Sequence, residues 1–151
     1  MADLPGAVLF ACNFNRVRSP MAEALMKLAY GDQVFVDSVG LKHEEGEEAV
    51  DPFAAAVIDE LGGDLAGFRP KTFDELEDES FDVVVSLTPE AQHRAVELAR
   101  GRSVDIEYWP TLDPTLTTGS REQILDAYRE VRDELARRIR ERFGKPSTFG
   151  G

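Results

Sequence analysis

The sequence of 151 residues has only one cysteine, Cys12, and only two histidines. A single cysteine cannot form an intrachain disulfide, and it cannot build a cysteine-rich zinc site. The histidines, His43 and His93, are not spaced as metal ligands, so we expect neither a metal nor another cofactor. A lone thiol that has to stay reduced favours a cytoplasmic location.

Long hydrophobic runs and an excess of basic residues are also missing. No stretch approaches the ~20 apolar residues of a membrane-spanning helix, and the short, acid-containing N-terminus does not fit a signal peptide. There are 17 basic against 29 acidic residues, and the formal net charge is -12. Such a surface repels nucleic acid and anionic lipid, so we expect neither as a partner.

The remaining composition is that of one globular domain, with 42% hydrophobic residues and no internal repeat or low-complexity linker. We expect the domain to span residues 1–144 and the tail, residues 145–151, to be disordered. Apolar runs predict strands over residues 7–11, 34–36, 81–87 and 104–109. Apolar residues spaced by three and four, together with capping residues, predict helices over residues 19–30, 52–61, 72–77, 89–100 and 120–143.

Alternating strands and helices predict an α/β domain whose parallel sheet is covered by helices on both faces. The helical periods also predict inward-facing side chains. In the first helix these are Met21, Leu25 and Leu28; in the last they are Ile124, Tyr128, Val131, Leu135 and Ile139. Ligand sites in such sheets lie beyond the carboxyl ends of the strands, so we expect the site after Ala11, Leu87 and Trp109.

The segment after the first strand has the residues of an oxyanion site. Five residues separate Cys12 from Arg18, enough to wrap one tetrahedral anion with backbone N–H groups at a helix start. Arg18 can hold two anion oxygens, and Ser19 can donate a hydrogen bond to a Cys12 thiolate. The predicted phosphate-binding residues are Asn13, Phe14, Asn15, Arg16, Val17, Arg18 and Ser19.

A second chemical group follows the last predicted strand. Asp113 precedes Pro114, and this position belongs to the same edge of the sheet as Cys12. Cleavage of a phosphate ester requires a proton for the leaving oxygen. We therefore interpret Asp113 as a general acid, and predict a catalytic set of Cys12, Arg18 and Asp113.

The chain resembles the low-molecular-weight protein tyrosine phosphatase family, whose fold is shared with thioredoxin-type arsenate reductases. The resemblance spans nearly the whole length. It is carried by Cys12 with Arg18-Ser19-Pro20, by Asn15, by Asp37-Ser38-Val39-Gly40, by Asp51-Pro52 and by Asp113-Pro114.

The resemblance implies a four-stranded parallel sheet in the flavodoxin-like order 2-1-3-4. It also implies that Cys12 attacks phosphorus, and that Asp113 protonates the leaving oxygen and later activates water. Asn15, Ser19 and Ser38 would support the loop, and no metal is needed. The implied substrate is a phosphorylated protein or a small phosphate ester, with a phosphate- or sulfate-like anion in the site.

Several residues depart from the family pattern. Phe14 stands where the family usually has glycine, so a positive φ there would be strained by roughly 1–3 kcal/mol; the alternatives are an aromatic ring at the rim and a simply packed side chain. Val17 replaces a second cysteine, and Phe68 replaces a histidine that supports the loop. Thr115 and Leu116 replace aromatic walls, and residues 43–48 bring four glutamates near the mouth.

Three functions therefore remain open. The first is a phosphomonoester hydrolase of the small tyrosine phosphatase type. The second is an arsenate reductase that uses an external thiol, because the chain has no further cysteine. The third is an oxyanion-binding module without turnover, suggested by Phe14, Phe68 and the missing aromatic walls.

Overall fold

The computed structural model of the protein describes residues 4–77 and 80–144, and the predicted tail 145–151 lies outside the described residues. Within these described residues, four strands form one sheet: β1 (Ala7–Cys12), β2 (Phe35–Gly40), β3 (Val83–Ser86) and β4 (Asp105–Tyr108). All pairings are parallel and the order is β2-β1-β3-β4, which confirms the predicted α/β class and strand order.

The register of the sheet determines where the strands end. Cys12 is paired with Gly40, and Ala11 is paired with Ser86. Because the strands are parallel, their carboxyl ends meet along one edge, and the loops that follow β1, β2 and β3 emerge side by side.

In the described part of the chain, four α-helices cover the sheet: α1 (Arg18–Tyr30), α2 (Pro52–Asp59), α3 (Pro89–Ala99) and α4 (Arg121–Phe143). Three begin with side-chain caps, from Asp51, Thr88 and Ser120. Each cap accepts a hydrogen bond from a backbone N–H of the first turn that has no partner within the helix. The short helix predicted from Thr72 is a 3-10 turn over Phe73–Glu75.

The helices form two layers, as predicted. Helices α1, α2 and α4 contact one another on one face of the sheet. They share a core that includes Met21, Tyr128, Leu135 and Ile139. Helix α3 covers the other face with Ala91 and Ala95. No helix within residues 4–77 and 80–144 has the length and apolarity needed to cross a bilayer.

Two features differ from the sequence prediction. Strand β2 continues to Gly40, beyond the predicted end at Val36, because the polar residues Asp37 and Ser38 keep the parallel pairing with β1 although they interrupt the apolar run. Leu28 was predicted to face the core, but it is 46% exposed. It lies at the margin of the helical layer beside Leu61, while Glu23 takes a buried position on the same helix.

Candidate active site

The loop between β1 and α1 forms the floor of a pocket of about 200 Å³. Cys12 ends β1 and is 3% exposed, and Arg18 is the first residue of α1. The residues that line the pocket are Cys12, Phe14, Arg16, Val17, Arg18, Glu44, Asp51, Asp113 and Thr115. The fold thus brings the three predicted catalytic residues together from segments that are distant in sequence.

The end of β2 lies against this loop without a side chain between them. A Cβ on Gly40 would lie 2.7 Å from the backbone nitrogen of Asn15 and 2.7 Å from the carbonyl carbon of Phe14. The next residue, Leu41, donates its backbone N–H to Asn13 O at 2.8 Å. Glycine is therefore required at position 40 for the backbones to approach so closely.

Asn15 holds the loop in shape from within. It is fully buried and has a positive φ of 58°, a conformation that asparagine tolerates better than most residues. Its Nδ2 donates to Ser19 Oγ and to Ser38 Oγ, both at 2.9 Å, and its Oδ1 accepts from Lys71 N at 2.9 Å. The three residues predicted to support the loop are thus joined in one network.

Phe14 does not have the strained backbone that its replacement of glycine suggested. The positive-φ residue of the loop is the next one, Asn15. The Phe14 ring lines the pocket instead, and Lys42 Nζ lies 5.9 Å from its centroid. The aromatic side chain therefore contributes to the rim without distorting the loop.

The sulfur of Cys12 lies 2.9 Å from Ser19 Oγ. Ser19 is fully buried at the start of α1, so this hydroxyl is a fixed partner for the thiol. Arg18 is held by the loop after β4, because its Nη1 donates to Thr111 O at 2.9 Å. Its other N–H groups can donate to an anion in the pocket.

Asp113 begins the short 3-10 turn Pro114–Leu116 in the loop after β4. Its Oδ1 accepts hydrogen bonds from Thr115 N at 2.9 Å and from Thr115 Oγ1 at 2.6 Å. Both bonds use the same oxygen and fix the carboxyl group at the wall of the pocket. This geometry leaves Oδ2 as the oxygen that can exchange a proton with a ligand.

Arg16 is turned toward the neighbouring loop. Its Nη1 contacts Glu44 at 2.7 Å, its Nη2 contacts Glu47 at 3.3 Å, and its Nε donates to Ala49 O at 2.8 Å. Its side chain is only 13% exposed. Two of the four glutamates near the mouth therefore pair with Arg16 and hold its side chain against their own loop.

Glu44 and Asp51 also line the pocket, and neither was predicted as a site residue. Asp51 Oδ1 accepts from Phe53 N at 2.8 Å, and its Oδ2 accepts from Tyr128 Oη at 3.0 Å. Burial and the negative charge of Asp51 raise the pKa of Tyr128 well above its usual value, so Tyr128 remains a neutral donor. In the sequence, the Asp51-Pro52 pair contributes to the family resemblance and to the predicted start of a helix, but the sequence does not place Tyr128 beside Asp51.

Known proteins share both this fold and this sequence pattern. The family model described as low molecular weight phosphotyrosine protein phosphatase matches residues 7–145. An arsenate reductase from Halalkalibacterium halodurans is 31% identical over 133 residues, which cover 88% of this chain and 91% of the relative.

Two solved structures with similar folds carry different names, one an arsenate reductase and the other a tyrosine phosphatase. The structure described as an arsenate reductase in the phosphate binding state has a TM-score of 0.74 and 28% identity, and the match covers 91% of this chain and 96% of that one. The low molecular weight protein tyrosine phosphatase from T. tengcongensis has a TM-score of 0.71 and 25% identity, with coverages of 89% and 95%.

Proposed function

Because the chain belongs to the low molecular weight phosphotyrosine protein phosphatase family, an enzyme family, we propose that it hydrolyses phosphomonoesters through a cysteinyl-phosphate. The observation that carries this proposal is the position of Cys12 Sγ at the floor of the pocket, 2.9 Å from Ser19 Oγ. A thiolate there can accept the Ser19 hydrogen bond and faces the amino end of α1.

The first step transfers the phosphoryl group from the substrate oxygen to Cys12. The sulfur attacks phosphorus, the bond from phosphorus to the leaving oxygen breaks, and Asp113 supplies the proton that this oxygen needs. Arg18 and the loop N–H groups bind the equatorial phosphoryl oxygens, whose negative charge persists through the transition state.

The second step hydrolyses the cysteinyl-phosphate. Asp113, now a carboxylate, takes a proton from water, and the water oxygen attacks phosphorus while the sulfur leaves as a thiolate. Inorganic phosphate is released and the starting protonation states return. The two roles of Asp113 are consistent with one carboxyl oxygen fixed by Thr115 and the other turned to the ligand.

The substrate we propose is a phosphorylated protein or a small phosphate ester. Leu112 and Leu116, on either side of Asp113, are 84% and 78% exposed, so apolar surface borders the acid. Glu44 lines the other side of the mouth and disfavours acidic leaving groups. The lone cysteine supports a cytoplasmic location, where reduced thiols persist.

Arsenate reduction is the second candidate, because the H. halodurans relative is named an arsenate reductase. Here the Cys12 thiolate would displace an arsenate oxygen as water. An external thiol would attack the sulfur, so that arsenic takes two electrons and leaves as arsenite and a mixed disulfide remains. A second external thiol would release Cys12. Both thiols must be external because the chain has one cysteine.

One set of assays separates these functions. We expect release of inorganic phosphate from aryl phosphates, abolished in Cys12→Ser, and little arsenite from arsenate with glutathione or mycothiol. Asp113→Asn should slow the hydrolysis of phenyl phosphate, whose phenol is a poor leaving group, about 10²–10⁴-fold. It should slow the hydrolysis of p-nitrophenyl phosphate less. Retained hydrolysis in Cys12→Ser would refute the mechanism.

Two further outcomes of the same assays would replace the proposal. Faster arsenite formation than phosphate release, lost in Cys12→Ser, would favour the reductase. Tight binding of phosphate without turnover of any ester or of arsenate would favour the anion-binding module. Glu60→Gln, which removes a carboxylate paired with two arginines of α4 and lines no part of the pocket, is the control and should keep wild-type activity.

A further inference from the structure

Helix α1 carries a carboxylate on its buried side. Glu23 is only 7% exposed, although it has no apolar surface beyond its two methylene groups. Burying a carboxylate is costly unless it is paired and hydrogen-bonded. Both oxygens have such partners: Oε2 contacts Lys27 Nζ at 2.6 Å, and Oε1 accepts from Ser38 Oγ at 2.6 Å. Neither the proposed mechanism nor the apolar core accounts for this position.

Glu23 lies at the end of a hydrogen-bond path that leads to the nucleophile. Ser38 Oγ, which donates to Glu23, is 2.9 Å from Asn15 Nδ2. The same Asn15 nitrogen is 2.9 Å from Ser19 Oγ, and Ser19 Oγ is 2.9 Å from Cys12 Sγ. Every group between the carboxylate and the sulfur is buried.

The donor and acceptor capacities along this path give it a direction. A carboxylate can only accept, so Ser38 must donate to Glu23 and is left as an acceptor for Asn15. Asn15 Oδ1 accepts from Lys71 N, which turns the Asn15 NH₂ group toward the two serines.

The direction of the path decides what Ser19 can do. Because Ser19 Oγ accepts from Asn15, its own proton is left for another partner. Cys12 Sγ at 2.9 Å is closer than Val39 O at 3.3 Å. Sulfur usually makes longer hydrogen bonds than oxygen, so the geometry favours donation to Cys12.

We propose that Glu23 is a positioning residue: its carboxylate, together with the Lys71 N–H on Asn15, fixes the direction of the Ser38, Asn15 and Ser19 hydrogen bonds so that Ser19 donates to the Cys12 thiolate. The inference rests on the proposed role of Cys12 as nucleophile. Glu23 would then belong to the residues that support the active site, although it touches neither the substrate nor the sulfur.

A simple charge effect would act with the opposite sign. A negative charge near Cys12 disfavours the thiolate, so its removal would make Cys12 more reactive at low pH. Loss of the directed hydrogen bonds would make Cys12 less reactive at low pH, because the thiolate would lose its donor. The sign of the change therefore separates positioning from electrostatics.

The single cysteine allows a direct test with the full chain. The probe is iodoacetamide, which alkylates the thiolate, and the rate is measured at about pH 5.5 and about pH 9.5. We expect Glu23→Ala to react about tenfold more slowly at the lower pH, which corresponds to the loss of about one charge-assisted hydrogen bond. At the higher pH, which lies above the ordinary cysteine pKa of about 8.5, the rates should agree.

Two further variants separate a local effect on Cys12 from a general loss of folding. Ser38→Ala interrupts the same path with a smaller change in volume, and it should slow alkylation at about pH 5.5 in the same way as Glu23→Ala. Glu60→Gln removes a carboxylate that has two arginine partners and lines no part of the pocket, and it should leave both rates unchanged. Circular dichroism establishes that each variant is folded.

A double-mutant cycle tests whether Glu23 acts through Ser19. In a Ser19→Ala background, Glu23→Ala should cause no further change in the alkylation ratio, which is the rate at about pH 5.5 divided by the rate at about pH 9.5. Folded Glu23→Ala and Ser38→Ala proteins with the wild-type ratio or faster alkylation at low pH would overturn the proposal. An additive effect of Glu23→Ala in the Ser19→Ala background would overturn it as well. The alkylation assay needs no turnover, so failure of the proposed phosphatase activity is recognised separately.

Discussion

The close approach of Gly40 to the loop at Asn15 offers a sharp test of the site geometry. In Gly40→Ala the new Cβ would meet two backbone atoms of the loop at 2.7 Å, whereas ordinary van der Waals contact begins at 3.4 Å. Backbone atoms cannot swing away as a flexible side chain can. The loop must therefore withdraw by about 0.7 Å, or β2 must move by the same amount.

This displacement should affect binding and turnover more than folding. A misplacement of about 1 Å can cost about 10²-fold in rate, so we expect kcat/KM for p-nitrophenyl phosphate to fall between tenfold and a hundredfold. Overpacking should lower the free energy of unfolding by about 1–3 kcal/mol, which still leaves a folded protein. Steady-state kinetics, phosphate inhibition constants and urea denaturation measure the three quantities.

Gly6→Ala is the matched control for Gly40→Ala. Gly6 precedes β1 at the opposite end of the sheet, and its new Cβ would meet only Asp82 Oδ2 at 3.1 Å, the tip of a side chain. We expect wild-type kinetics in Gly6→Ala and a small change in stability. Unchanged kcat/KM and phosphate affinity in Gly40→Ala would show that the loop tolerates a side chain at this contact, and the reasoning would be wrong.

Three other predictions follow from packing and charge. Tyr128→Phe removes the donor to Asp51 Oδ2 and should lower the free energy of unfolding by about 1–2 kcal/mol in urea denaturation. Two arginines of α4 lower the pKa of Glu60 to about 2, so its stabilising effect is present above the usual value of 4.5 and is lost as pH falls toward 2. Glu60→Gln should therefore lower the thermal midpoint at neutral pH but not at about pH 2, and an equal loss at both would contradict this. Replacing Leu112 and Leu116 together by serine should lower kcat/KM for phosphopeptides with apolar flanks about tenfold. The value of kcat/KM for phenyl phosphate should stay the same, because only the peptides extend past Asp113 to these side chains.

The fold was predictable because local signals agree with the tertiary structure. Asp51, Thr88 and Ser120 precede helical periods, and the structure has a side-chain cap at each of them. The strands are short apolar runs between these helices, as expected in a parallel sheet. The end of β2 was missed because Asp37 and Ser38 are polar, and a hydrophobic pattern cannot recognise a strand that serves a site.

The site was predictable in outline but not in its connections. The spacing of Cys12 and Arg18 and the Asp113-Pro114 pair locate the groups around the pocket. The role of Arg16 depends on ion pairs with a loop about thirty residues away in sequence, which no local pattern encodes. Asn15 was a better candidate than Phe14 for a positive φ, because asparagine adopts this conformation several-fold more often than most residues.

Glu23 illustrates the limit of reading one helix alone. A glutamate four residues before Lys27 is typical of an exposed helical pair. Its buried environment is created by Ser38 from β2, and the distance between the two residues in sequence hides the contact. Leu28 shows the opposite error: its apolar side chain fits the helical spacing and was predicted to be buried, but it lies at the margin of the helical layer and is exposed.

The solitary sulfur at the floor of the pocket also determines how the protein responds to peroxide. Oxidation of Cys12 gives a sulfenic acid, and its usual rescue is condensation with a nearby thiol. Val17 stands at the pocket wall, and the chain has no other cysteine to perform this reaction. Repair by a thiol must then come from outside the chain, and without any repair oxidation proceeds to the sulfinic acid, which is irreversible for most proteins.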